Sequence, residues 1–293
     1  MNEQEALEMI NRGVSFEEEY FDNFRDDRKI ALHAIYKNHN AILYVSKNLY
    51  NDRKFIIDAI NINPISFMDA QERFKHDREL VHKVLKKDGR LLEYLPYDFK
   101  NDEETVLLAM KSNRNAIRFA SNDLKDNKEF AKKAIEIDPF ALSELSDRLR
   151  NDKDIVLRAV SKNGFAVKYA SNELKHDYQI ADTAVSNKGK AIKDLPQPMQ
   201  QKREIALHAV KTDGLALAFI PYFSSDKEIV FNALQQNSNA YQYASNNIHY
   251  LCKEMEPKEV LYKAMRVEAI AEKIQIAQQT KSQSKGLKLT INR

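Results

Sequence analysis

The chain has 293 residues, of which 43 % are apolar and 30 % are charged, and 46 basic against 43 acidic side chains leave a net charge of +3. This composition is typical of a mostly helical, water-soluble protein and excludes a chain that is disordered throughout. No run of about 18 apolar residues occurs, and the acidic start MNEQEALEMI lacks the pattern of a secretory signal, so we expect no membrane span.

A 25-residue period runs through most of the chain. Seven consecutive spacings are 25 residues long and the next is 24, a regularity that excludes coincidence. It predicts a degenerate N-terminal capping repeat at 1–25, nine tandem repeats at 26–249, a C-terminal capping helix region at 250–276 and a basic, disordered tail at 277–293. We number the repeats 1 to 9 by their opening residues, which are Asp27, Asp52, Asp77, Asp102, Asn127, Asp152, Asp177, Lys202 and Asp226.

Each repeat begins with a predicted amphipathic helix. In repeat 6, Ile155, Val156 and Ala159 follow the spacing of one helical face, and Val160 continues it. Asn151 and Asp154 have the spacing of a capping box at the start of this helix. A column of glycine and proline predicts where the helix ends. Its members are Gly89, Gly164, Gly189, Gly214, Pro64 and Pro139.

A second, shorter helix is predicted to follow. Its apolar residues in repeat 6 are Ala166, Val167 and Ala170. It must end before Ser171, because the same column holds proline in repeats 3, 7 and 8. One last turn is closed by Leu174, so the repeat is predicted to be a helical hairpin with a long arm and a short arm.

A single repeat cannot fold alone, because its few buried side chains do not offset roughly 1.5 kcal/mol of ordering entropy per residue. Stacking of each hairpin on its neighbours supplies the missing burial. The predicted fold class is therefore all-α, an α-solenoid of about nine to ten 25-residue helical-hairpin repeats with atypical end caps.

The repeat unit reads D-[KR]-[ED]-[IV]-V-x-x-A-V-x-x-N-G-x-A-[LVI]-x-Y-A-S-x-x-L-[KR] at its best matches, 101–125 and 151–175. This unit resembles the repeat family called domain of unknown function 4116, tandem helical repeats found in bacteria and some protists. The resemblance covers about 26–249 and implies a repeat scaffold. It implies no reaction, because the family has no established chemistry.

Cys252 is the only cysteine, so the chain can form no internal disulfide and no thiolate metal cluster. A chain without disulfides is typical of a reducing compartment. We therefore expect a cytoplasmic protein. The resemblance to a bacterial family suggests the bacterial cytosol, or the cytosol of a host cell if the chain is a translocated effector.

An aromatic column, defined as Tyr44, Tyr94, Phe119, Tyr169, Phe219 and Tyr243, recurs once per repeat in six repeats. It lies on or beside the apolar positions of the second helix, so we expect it to pack in the core. The alternative is a ladder on which nucleic-acid bases stack.

A basic column opens most of the first helices. Its cations could pair locally with nearby acids, contact an acidic protein, or follow the phosphates of a nucleic acid. The members that we regard as candidate partner-binding residues are Arg28, Arg53, Arg78, Lys128, Lys153 and Arg203.

Other candidate contacts lie at positions that change from repeat to repeat. A base-reading code would reuse a few side chains at fixed columns, whereas this diversity suits a non-periodic partner such as a protein surface. The candidates are Tyr36, Lys87, Lys111, Arg158, Lys162, Lys168 and Lys211.

No catalytic, cofactor-binding or metal-binding constellation is predicted. The seven histidines do not share ligand spacing with one another or with carboxylates, and phosphate-loop and nucleophile-elbow motifs do not occur. We therefore expect a monomeric, non-enzymatic scaffold without a cofactor that binds a protein or peptide. The alternative function is binding of nucleic acid or another anionic surface by the basic column and the tail.

Overall fold

The computed structural model describes residues 1–253, 256–268, 272 and 275. The regular elements within these residues are α-helices and 3₁₀ helices, without a β-strand among them. Successive helices contact one another as in a stack of repeats, which confirms the predicted all-α repeat solenoid. The chain divides into two compact units, Met1–Leu149 and Arg150–Arg293, and each is described by itself.

The first element of each repeat is an α-helix of ten residues, which we call the long helix. The nine long helices in the described part of the chain are Arg28–Lys37, Arg53–Ile62, Arg78–Lys87, Glu103–Ser112, Lys128–Ile137, Lys153–Lys162, Tyr178–Asn187, Arg203–Thr212 and Lys227–Gln236. The side of these helices that is buried is the apolar face predicted from the sequence. In repeat 6, Ile155, Val156, Ala159 and Val160 have no exposed surface.

The opening residue of the repeat caps the long helix. The Asp152 carboxylate accepts hydrogen bonds from the backbone N–H groups of Asp154 (3.0 Å) and Ile155 (3.2 Å). An aspartate at this position satisfies N–H groups that have no partner within the helix. The predicted capping box with Asn151 as the cap is therefore wrong by one residue.

The second arm of each repeat is a 3₁₀ helix rather than the predicted α-helix. These helices are His39–Tyr44, Pro64–Asp69, Gly89–Tyr94, Arg114–Phe119, Pro139–Glu144, Gly164–Tyr169, Gly189–Asp194, Gly214–Phe219 and Ser238–Tyr243. Only six residues lie between the extended residues Asn163 and Ala170 in repeat 6. A segment this short fits two turns of the tighter helix.

The glycine column lies at the start of the 3₁₀ helix. The prediction that it ends the long helix is therefore wrong. The long helix Lys153–Lys162 ends earlier, and Asn163 follows it in extended conformation. The Asn163 side chain accepts a hydrogen bond from the Phe165 N–H (3.1 Å) and so caps the 3₁₀ helix. In the described chain only Gly13 has a positive φ, so the column is not selected for left-handed backbone.

A short α-helical turn closes most repeats. These turns are Lys47–Asn51, Glu72–Lys75, Tyr97–Lys100, Asn122–Lys125, Asp147–Arg150, Asn172–Lys175, Gln197–Gln200 and Asn246–Leu251. Repeat 8 is one residue shorter than the others, and a three-residue 3₁₀ turn, Pro221–Phe223, replaces the α-helical turn there. The single spacing of 24 residues therefore coincides with a different closing turn in repeat 8.

Two rows of helices make up each unit. In Met1–Leu149 the long helices of successive repeats lie side by side. The 3₁₀ helices form a second row, in which those of repeats 1 and 2 contact each other, as do those of repeats 3, 4 and 5. In Arg150–Arg293 the long helices of repeats 6 to 9 and their 3₁₀ helices are arranged in the same way. The apolar core lies between the two rows.

The ends differ from the repeats. Helix Glu3–Asn11 packs on the long helix of repeat 1, and a 3₁₀ helix, Glu19–Phe24, leads into that repeat. Near the other end, 257–268 is helical. The predicted tail at 277–293 lies outside the described residues. Within the described part of the chain, no helix combines the length and the apolarity needed to cross a membrane.

Candidate functional site

Five cations of the basic column each link their long helix to the next repeat. Arg53 Nε lies 2.9 Å from Asp77 Oδ2, and its terminal nitrogen lies 2.6 Å from Glu79. Asp77 is at the same time the cap of the next long helix. The hydrogen bond from Arg53 holds the pKa of the Asp77 carboxyl below its usual value, against the opposing effect of burial.

The same link recurs in both units, with nitrogen–oxygen distances from 2.7 to 3.0 Å. The pairs are Arg28–Asp52, Arg78–Asp102, Lys153–Asp177 and Arg203–Asp226. Five of the six candidate cations of the basic column therefore contact carboxylates of the following repeat. Whether these cations, or Lys128 in the same column, also contact a partner stays a prediction.

At the boundary between repeats 7 and 8, both residues of this link are of a different type. Tyr178 replaces the cation at the start of one long helix, and Lys202 replaces the capping aspartate of the next. The Lys202 ammonium lies over the Tyr178 ring, 5.5 Å from its centroid. The long helix Arg203–Thr212 consequently has no side-chain cap at its N-terminus.

A serine before the short closing helix forms a second link in repeats 1, 4, 5, 6 and 9. In repeat 4, the Ser121 N–H donates to the Lys100 carbonyl of the preceding repeat (2.8 Å), and its hydroxyl donates to Asn101 Oδ1 (2.5 Å). The same hydroxyl accepts from the Leu124 N–H (3.1 Å). The serine therefore caps its own short helix and holds the previous repeat.

The last residue of the long helix forms a third link, which sequence reasoning missed. Asn187 Oδ1 accepts from the Gly164 N–H (2.9 Å), and its amide nitrogen donates to the Ser161 carbonyl (2.8 Å). Gln236 accepts from the Gly214 N–H in the same way (2.6 Å). The type of this residue changes between repeats, and it is Ile62 in repeat 2 and Ile137 in repeat 5. The sequence therefore indicated a variable surface at this position rather than a link.

The aromatic column lies on the surface, which contradicts its predicted place in the core. Tyr94 is 62 % exposed, Phe219 and Tyr243 are also exposed, and the other three members are half-buried. The 3₁₀ geometry is the reason, because it directs Ala166 and Val167 into the core and leaves Tyr169 at the edge. The predicted candidate Lys168 lies over the Tyr169 ring, 5.8 Å from its centroid.

The variable positions lie on the side of the long helices that faces away from the 3₁₀ row. We call this side, formed by the fifth, sixth, ninth and tenth residues of each long helix, the outer face. Of the predicted candidates there, Arg158 is half-buried, and the exposed ones are Tyr36, Lys87, Lys111, Lys162 and Lys211. Lys87 reaches back to the Asn61 carbonyl of the preceding repeat, at 3.4 Å.

An apolar groove of about 620 Å³ interrupts the outer face near the N-terminus. It lies between helix Glu3–Asn11 and the long helices of repeats 1 and 2. Its apolar lining is Leu7, Leu32, Tyr36 and Ile62, and Arg28, Lys29 and His33 also line it. Tyr36 is 63 % exposed and Ile62 is 39 % exposed. Exposed apolar side chains around a concave surface are typical of a site where another molecule binds.

The family whose description reads "Domain of unknown function (DUF4116)" matches residues 77–125, 127–175, 153–200 and 202–249. These ranges cover more than half of the chain. The chain belongs to this family. No curated protein and no solved structure matches it.

The residues of the family's repeat have structural roles in this chain. In repeat 6, Asp152 caps the long helix, Asn163 caps the 3₁₀ helix, and the Ser171 hydroxyl caps the short helix at the Leu174 N–H (3.1 Å). Membership in the family therefore accounts for the stack of repeats.

The described residues contain no group of three or more potential metal ligands. Histidines occur in isolated pairs with a carboxylate, such as His208 Nδ1 at 2.5 Å from Asp182 and His39 Nδ1 at 3.1 Å from Asp69. These two pairs join neighbouring repeats, and we assign them to the linkage between repeats. His76 instead lies 3.6 Å from Glu72 of its own repeat.

Proposed function

We propose that the chain is a non-enzymatic repeat scaffold that binds a protein or peptide through the outer face of its long helices. The observation that carries this proposal is the apolar groove lined by Leu7, Leu32, Tyr36 and Ile62. The linkage of the basic column to carboxylates supports it as well, because paired cations contribute little to recognition of a phosphate backbone.

The proposal includes the setting in which binding takes place. We propose that the protein is a monomer and acts in the cytoplasm of a bacterium, or in the cytosol of a host cell as a translocated effector. The single cysteine and the family's occurrence in bacteria support a reducing compartment.

Selection from a displayed library of random peptides on the immobilised full chain tests the binding function. The matched variants are Tyr36→Ser with Ile62→Lys in the groove, and Tyr94→Ser on the 3₁₀ row as a control. We expect enriched peptides whose affinity falls at least about tenfold in the groove variant and stays unchanged in the control. Failure to enrich any peptide, or equal binding to all variants, would contradict the proposal.

A second candidate function is binding of single-stranded nucleic acid or another polyanion. It is supported by the aromatic column, in which Arg118 and Lys168 lie over the half-buried rings of Phe119 and Tyr169. Bases stack on such rings, and cations contact the backbone. Fluorescence anisotropy of labelled oligothymidylate at low and raised salt tests it, and binding that is insensitive to salt and to Phe119→Ser would count against it.

A further inference from the structure

A hollow of about 360 Å³ lies on the outer face of repeats 3 to 5. The long helices Arg78–Lys87, Glu103–Ser112 and Lys128–Ile137 surround it. Leu107 and Leu108 contribute its apolar surface, and both are half-buried. The hollow is separate in sequence from the apolar groove of repeats 1 and 2.

The acidic residues of this hollow are already paired. Glu104 lies 2.9 Å from Arg78, and Glu103 forms an ion pair with Lys133. Lys86 and Lys111 also line the hollow, and both are exposed. Within the described part of the chain, neither has a carboxylate within ion-pair distance, so the hollow has two unneutralised cations beside an apolar surface.

His82 completes the wall of the hollow and is held in one orientation. Its Nε2 lies 2.9 Å from the Thr105 hydroxyl, which itself donates to Asp102 (2.5 Å). Because the hydroxyl proton is used toward Asp102, the hydroxyl accepts from a protonated Nε2, and Nδ1 of a neutral imidazole is an acceptor. Burial lowers the pKa of His82, which favours the neutral ring. An N–H donor such as a peptide amide can pair with it.

We infer that this hollow binds an acidic peptide segment, with an apolar side chain on Leu107 and Leu108 and flanking carboxylates beside Lys86 and Lys111. The inference rests on the proposed peptide-binding function and specifies a site and a ligand chemistry for it. A nucleic acid fits less well, because its phosphates offer no group for the apolar surface and require a longer row of unpaired cations. Peptide carboxylates pair with two exposed ammonium groups and gain from the adjacent apolar contact.

The test measures binding of an array of labelled acidic dodecapeptides, each with one or two central apolar residues, to the full chain. The variants are Lys86→Glu with Lys111→Glu, and Leu108→Ser. The control is Lys188→Glu, which reverses the charge of an exposed lysine in repeat 7 that lies outside the outer face and is not a predicted partner contact. We expect at least about a tenfold loss of affinity for the first two variants and no change for the control.

Several results would overturn the inference. One is an array in which every peptide binds the Lys86→Glu, Lys111→Glu variant as tightly as the wild type. Another is that peptides whose apolar residues are replaced by serine lose as much affinity in this variant as peptides that keep them. Preferential binding of oligothymidylate at the same lysines would also overturn it, in favour of a polyanion site. Peptides that depend on Tyr36 and Ile62 but not on Lys86 and Lys111 would leave the proposed function standing and exclude this hollow.

Discussion

Gly89 of repeat 3 lies against the backbone of Ala109 in repeat 4. A Cβ at Gly89 would overlap the carbonyl oxygen of Ala109 and would lie 2.9 Å from its carbonyl carbon. The same approach joins Gly164 to Ala184 and Gly189 to Ala209. A glycine at the start of the 3₁₀ helix and the alanine at the seventh position of the next long helix therefore form one recurring contact between neighbouring repeats.

We predict that Gly89→Ala destabilises the fold. A methyl group at this position can be accommodated only if the backbones of two repeats separate, which costs about 1–3 kcal/mol as overpacking does elsewhere. The usual gain of Gly→Ala, which reduces the entropy of the unfolded chain, is smaller than this cost. Urea denaturation followed by circular dichroism measures the difference.

Arg114→Ala is the matched control, because Arg114 occupies the same column in repeat 4 and already carries a Cβ. Its stability should stay within about 0.5 kcal/mol of the wild type. A Gly89→Ala variant as stable as this control would show that the close approach does not constrain the fold.

We predict that the joint between repeats 7 and 8 can be stabilised. Lys202→Asp supplies the missing cap of Arg203–Thr212 and should contribute about 1 kcal/mol. Adding Tyr178→Arg recreates the cation–carboxylate link of the other joints and should contribute a further few tenths of a kcal/mol, reduced by solvent screening. The free energies of unfolding of the wild type, the two single variants and the double variant, measured by thermal unfolding, form a double-mutant cycle.

The single variant Tyr178→Arg is the control in this cycle. It places a second cation beside Lys202 and removes the cation–π contact, so it should be no more stable than the wild type. A double variant whose effect equals the sum of the single effects would contradict the proposed link.

We predict a pH-dependent contribution from Asp77. The pKa of its carboxyl is lowered in the folded state, chiefly by the hydrogen bond from Arg53. A lowered pKa means that the contribution is present above the unfolded pKa of about 4 and is lost as the pH falls through the folded value. The stability difference between wild type and Asp77→Asn should therefore be largest near neutral pH and should shrink below about pH 4.

Asp98→Asn serves as the control for Asp77, since Asp98 is an exposed carboxylate of repeat 3 without a described ion pair. Its stability difference from the wild type should show no comparable change over the same pH range. If the Asp77→Asn difference stayed constant down to acid pH, the link to Arg53 would not contribute through its charge.

We predict that Ser121→Ala loosens the joint between repeats 3 and 4. The substitution removes the hydroxyl that caps Leu124 and holds Asn101, which should cost about 1 kcal/mol. Hydrogen exchange of the Leu124 N–H should become faster, because the N–H loses its acceptor. Ser186→Ala, at an exposed position of a long helix, should leave both quantities unchanged.

The buried side of the long helix could be predicted from the sequence, whereas the second arm could not. The spacing of Ile155 and Ala159 indicates a helical period, and the long helix continues it over ten residues. The arm around Val167 has only six residues, and its apolar positions fit an α-helix as well as a 3₁₀ helix. The place of Tyr94 and Tyr169 depends on that difference, which is why the predicted core position of the aromatic column was wrong.

The candidate surfaces were predicted in part. The exposure of Tyr36 and Lys111 follows from their place beyond the apolar stripe of the long helix, and the structure shows both exposed. The groove could not be predicted, because Leu7 and Ile62 come from different elements that meet only when helix Glu3–Asn11 packs on the repeats. The role of Asn187 was missed because its partner, Gly164, precedes it by 23 residues.

The sequence by itself determined that the chain is a stack of helical repeats and which side of each long helix is buried, because periodicity and helix capping depend on residues a few positions apart. Only the tertiary structure decided what the remaining side chains contact. Arg53 meets Asp77, and Gly89 meets Ala109, across the boundary between repeats. Such contacts depend on how closely two repeats approach, and that distance is set by packing of the whole layer rather than by any local pattern.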